Sequence, residues 1–183
     1  ILGTYTILSL VAFLIIPFAH KKPWQEIFSL SQPHLSLYDL SLTILLSVGV
    51  LALLSYVLEL SFSVYKKQKE FHYKLLGSIP FLWAILLSFV VAVAEECFFR
   101  GALQPLVGIS LTCSVVFLLH FMTTLKLSIQ GAYEVVKTLL LGHVFQMTEN
   151  IYPLILIHFI LNLIYFAQHF HFFREVKHSP LED

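Results

Sequence analysis

IPFLWAILLSFVVAVAEECFFRGALQ, residues 79–104, decides the fold. The residues from Ile79 to Ala94 are all apolar or small, and with the next turns of chain the run is long enough to cross a bilayer, which takes about 20. It then carries two adjacent acids, Glu95 and Glu96, and a base, Arg100, without breaking into a loop. It does not alternate with period two, so it reads as a helix and not as a strand of a barrel. A charge inside a bilayer costs about 2.5–3.5 kcal/mol on the insertion scale, so three together mark a functional site.

The rest of the chain agrees. Of 183 residues 58% are hydrophobic and 12% charged, and Phe occurs 17 times; mean hydropathy is +0.84. Soluble domains carry about 25% charged residues, so an ordinary soluble globule is excluded. Lys+Arg and Asp+Glu each number 11, which excludes the basic excess of a nucleic-acid binder. Cys97 and Cys113 both lie in apolar runs and make neither a disulfide framework nor a zinc knuckle. The expected fold class is all-α: a polytopic membrane helix bundle with about six transmembrane helices. It forms a single domain over residues 1–183, with a core at about 79–172. The spans fall at about 1–19, 37–63, 79–104, 108–125, 131–147 and 151–172. Residues 1–19 lack the charged front and cleavage site of a signal peptide and are kept as a span. Because the chain begins at Ile1 rather than Met, an earlier segment is expected. Residues 20–36, with Trp24 and Phe28, suit an interfacial stretch.

Lys66, Lys67, Lys69 and Lys74, then Lys126, then Arg174 and Lys177 lie in connections on one side of such a bundle. The positive-inside rule makes that side cytoplasmic, with the 63–78 loop and the C-terminus on it. The expected setting is a multi-pass protein of the bacterial inner membrane. Glu59, Glu134 and Lys137 are close enough to this side to reach water, and Glu134 and Lys137 can pair at i, i+3. His169, His171 and His178 read as the solvated end of the last helix.

Depth isolates a smaller set. Glu95 lies twelve residues before the turn at 107–108 and His120 twelve after it, each ~18 Å from the turn. From the turn at Thr148 to Asn150, His158 lies ~12 Å in and Asn162 ~18 Å in, on one helical face. Four polar groups therefore share a layer, with Glu95 and His120 level across an antiparallel pair. Glu96 and Arg100 are i, i+4 neighbours and form a structural ion pair, whereas Glu95 turns to the interior. Desolvation makes a carboxylate more basic, so Glu95 with His120 can hold and deprotonate a water. His158 and Asn162 can donate to an oxygen becoming negative, which completes the parts for amide hydrolysis. No G-x-S-x-G or H-E-x-x-H occurs. His143, within its span near the opposite side, reads as a packing or interface residue.

At these residues the chain resembles the CAAX protease and bacteriocin-processing family (CPBP, also called Abi), intramembrane endopeptidases of the glutamate type. The motif E-E-x-x-x-R stands as Glu95-Glu96-Cys97-Phe98-Phe99-Arg100, with Gly101 and Gln104 just beyond it. F-x-x-x-H is partial: His120 is present, but Val116 holds the Phe position and Phe117 comes one residue later. H-x-x-x-N stands as His158-Phe159-Ile160-Leu161-Asn162, so the likeness spans about 95–162. The resemblance implies Glu95 as general base, His120 sharing its water, His158 and Asn162 as the oxyanion site, and Glu96 with Arg100 as support. It implies no cofactor and no metal. The implied partners are the bilayer and a peptide or protein substrate, such as a lipidated CAAX protein, a leader peptide or another membrane-delivered segment. Three other readings remain open: a zinc peptidase using Glu95, His120 and His158, a proton-coupled transporter, and a non-catalytic membrane binder.

Overall fold

The computed structural model describes residues 11–12, 14–16, 36–124 and 129–178. Residues 11–12 and 14–16 are helical; the rest of the span expected at 1–19, and the interfacial stretch 20–36, lie outside the described residues. Six α-helices come next: α1 (Leu37–Ser61), α2 (Ser63–Leu76), α3 (Phe81–Glu96), α4 (Gln104–Thr124), α5 (Ile129–Thr148) and α6 (Tyr152–His178). A π-helix, Cys97–Leu103, joins α3 to α4. There is no strand among the described residues.

Stretches 37–61, 81–119 and 152–174 are long and apolar enough to cross a membrane. The middle one, at 39 residues, is long enough for two passages. It is broken at Gly108, whose φ of 78° and ψ of 169° a residue with a Cβ rarely adopts. The outer faces suit lipid: Leu45, Leu46, Leu53 and Leu60 of α1 and Phe81, Leu82, Trp83 and Leu86 of α3 are exposed. An apolar surface of that extent does not stand in water. The chain is an integral membrane protein built as an all-helical bundle.

Two pairings organise it: α3 on α6, and α4 on α5. The side-by-side pairing of the 79–104 and 108–125 helices, expected from their shared turn, is therefore replaced by separate partners for each. Ala84, Ser88 and Ala92, one turn apart on α3, are buried and small, so α6 can approach closely. Gly142 does the same for α4 on α5. A Cβ there would meet Ile109 Cδ1 at 2.5 Å and Gln104 Oε1 at 3.1 Å. Gly142→Val is expected to push the helices apart and destabilise the protein by about 1–3 kcal/mol, read by unfolding in mild detergent. An unchanged unfolding midpoint would contradict this close approach.

The 63–78 connection is not a loop. It contains α2, which buries Tyr65, Lys69 and Tyr73 at i, i+4 spacing and leaves Lys66, Lys67 and Lys74 exposed. Burial pushes the Tyr65 and Tyr73 hydroxyls up from the ordinary phenol range, so both remain donors. His169 also departs from expectation. It is fully buried at the α2–α6 contact, against Tyr73, Phe166 and Phe173, and not solvated.

Candidate active site

The α3–α6 pairing runs antiparallel and sets the site's layer. Phe81 meets Phe170 with ring centroids 6.1 Å apart, and Phe89 meets Phe159 at 5.9 Å. The Asn162 Nδ2 donates to the Ser88 carbonyl at 3.2 Å. Further along, His158 Nδ1 meets Glu96 Oε1 at 2.7 Å. At the far end a Cβ on Gly101 would lie 3.4 Å from Ile151 Cδ1. As numbers rise on α3 they fall on α6, so Glu95 and Glu96 necessarily face the stretch that holds His158.

Glu96 is fully buried and bridges two partners. Besides His158, it accepts from Arg100 Nη1 at 3.3 Å. The buried Arg100 guanidinium also donates from Nη2 to the Thr138 carbonyl of α5 at 3.2 Å. One turn on, Gln104 Nε2 donates to the Gly142 carbonyl at 3.0 Å. Arg100 of the π-helix and Gln104 at the start of α4 thus clamp two successive turns of α5. Carbonyl oxygens have two lone pairs, so these turns keep their own helical bonds as well.

Glu95 turns the other way, into a cavity of about 240 Å³ that His158 and Asn162 also line. Its Oε2 lies 3.7 Å from His158 Nε2, beyond direct hydrogen-bond reach. The imidazole therefore stands between two carboxylates, tied to Glu96 and facing Glu95. Across the cavity Lys137 Nζ pairs with Glu134 Oε2 at 2.5 Å. Both residues are buried, which corrects the reading that they reach water. They face a polar interior space, which supplies what bulk water was expected to supply. Lys69 lines the same cavity and is bonded to Glu59 Oε2 at 2.6 Å and Gln168 Oε1 at 2.8 Å.

Of the residues singled out from sequence, Glu95, Glu96, Arg100, His158 and Asn162 come together. His120 belongs to α4, but its side chain lies outside the described residues. Val116, in the variant Phe position, is buried. His143 is exposed, its Nδ1 2.8 Å from the Leu139 carbonyl of its own helix. Sequence reasoning missed the cavity's far walls. Glu134 and Lys137 had their pairing as a signal, and Lys69 had only its i, i+4 spacing from Tyr65 and Tyr73. Among the described residues, no group of three His, Cys, Asp or Glu side chains is arranged to hold a metal ion.

No curated protein and no solved structure matches the chain. A family profile does, described as type II CAAX prenyl endopeptidase Rce1-like, over residues 77–164. That segment begins just before α3 and ends two residues past Asn162, so it takes in every side chain of the cluster around Glu96. Over residues 77–164, just under half of its length, the chain is similar to the Rce1-like type II CAAX prenyl endopeptidases.

Proposed function

We propose that the protein is an intramembrane endopeptidase in which Glu95 activates the attacking water. The observation that carries this reading is the 3.7 Å separation of Glu95 Oε2 and His158 Nε2 on the wall of an interior cavity. That separation leaves room for reacting groups between the two atoms, with the water on Glu95 and the carbonyl oxygen on His158. Glu95 takes a proton from the water as its oxygen attacks the scissile carbonyl carbon. The carbonyl oxygen becomes negative and meets His158 Nε2–H and the second N–H of the Asn162 amide. The proton then passes from Glu95 to the departing nitrogen, the C–N bond breaks, and an acid and an amine leave. His120, by resemblance, shares the water.

Glu96 fixes the ring through Nδ1, which leaves Nε2 aimed at the cavity. The family's description makes prenylated CAAX proteins the first substrates to test. Exposed Lys66, Lys67 and Lys74 support a cytoplasmic side for α2, where such proteins reach the membrane.

The test is a prenylated peptide ending in Cys and three further residues, presented to the protein in lipid nanodiscs. Cleavage after the Cys is expected, and it should survive exhaustive chelation. Loss of activity on chelation, restored by zinc alone, would move the assignment to a zinc peptidase. No cleavage of this or of other membrane-delivered peptides would leave the non-catalytic reading.

A further inference from the structure

Lys69 has no part in the hydrolysis step, yet it is buried and lines the same cavity as Glu95. Burying an ammonium beside one carboxylate contributes little stability, because the desolvation of both ions offsets their attraction. An ammonium has three donors. Glu59 and Gln168 take two, leaving the third for the cavity. Tyr65 and Ser55 line this end as well, and their hydroxyls lie 2.9 Å apart. That pair has two protons and uses one in its mutual bond, so one more donor remains. Beyond Lys69 and Gln168 a second cavity of about 570 Å³ continues between α2 and α6.

Distance gives this end a meaning. A scissile carbonyl held among Glu95, His158 and Asn162 sits level with the middle of the 158–162 stretch of α6. Gln168, which holds Lys69, lies ~12 Å further along that helix. Three extended residues span ~10 Å. We propose that Lys69, with the Tyr65–Ser55 hydroxyl pair, seats the free C-terminal carboxylate of the substrate, and so measures a tail of three residues from the cleaved bond. The inference rests on the endopeptidase reading and adds the residues that hold the substrate's end.

The experiment compares prenylated peptides with a three-residue tail ending as free acid or as amide, and free acids with tails of two, three and five residues. For the wild type, kcat/KM is expected to favour the acid roughly tenfold or more, as a charge-assisted bond requires. It is also expected to peak at three residues. In Lys69→Met/Glu59→Gln, which removes both charges together, the acid-to-amide ratio should fall toward one, while Lys69→Arg should retain it. The ratio is internal to each preparation, so a partly folded variant still reports it. Equal cleavage of acid and amide by the wild type, or a flat dependence on tail length, overturns the seat and leaves the activity standing. A double variant that keeps the wild-type ratio also overturns it. No cleavage of any of these peptides by the wild type overturns the endopeptidase reading, and the seat with it.

Discussion

Purified Glu95→Gln is expected to lose peptide hydrolysis by at least about a hundredfold while remaining folded. The amide has the carboxylate's shape but cannot accept the proton of an attacking water. Its surroundings tolerate the change, because Glu95 lines a polar cavity with its side chain 22% exposed. The contrast is Glu96→Gln. There the carboxylate is fully buried between Arg100 and His158, so loss of its charge should show first in stability and in His158 orientation. The measurement is turnover of a membrane-presented peptide alongside thermal unfolding for both variants. Near-wild-type turnover of Glu95→Gln would remove the proposed base.

The second large effect is expected from Arg100→Met. Arg100 is 1% exposed and is the bonded cation of the fully buried Glu96. Removing one partner of a buried pair strands the other, at about 3–5 kcal/mol. The substitution also frees the Thr138 carbonyl and so loosens the clamp on α5. Arg100→Lys should recover only part, since one ammonium lacks the planar fork that reaches Glu96 and Thr138 at once. Arg100→Met/Glu96→Met should be more stable than Arg100→Met alone, because no charge is then stranded. Unfolding of Arg100→Met indistinguishable from wild type would contradict the buried bridge.

Much of this site is readable in the chain because helical periodicity converts spacing into direction. His158 and Asn162 share a face at i, i+4, and Glu95 and Glu96 diverge by one helical step. The structure brings His158 and Asn162 to the same cavity as Glu95 and turns Glu96 to Arg100. The route to that layer was less legible. Counting from a shared turn pairs the 79–104 and 108–125 helices, but small residues at Ala84, Ser88 and Ala92 draw α3 onto α6. The Glu96–His158 bond joins residues far apart in sequence, which no local spacing encodes. Helix α2 is hard to read from sequence because one position of its buried face is Lys69, which interrupts its apolar period. The π-helix has Gly101 as its only local hint, and a glycine there is equally compatible with an ordinary helix.

The Glu96–His158 bond bridges 62 residues, and its second partner comes from the last helix of the bundle. A ribosome adds about 5–20 residues per second, so Glu96 is made ~3–12 s before His158. During that interval the acids of α3 have Arg100 but no imidazole, and the wall that α6 contributes to the cavity does not exist. The proposed water-activating cluster is therefore incomplete until α6 has been made. A nascent chain moving through the insertion machinery among other unfolded segments carries the acids without the completed site, and under the proposed mechanism a chain truncated before α6 is inert.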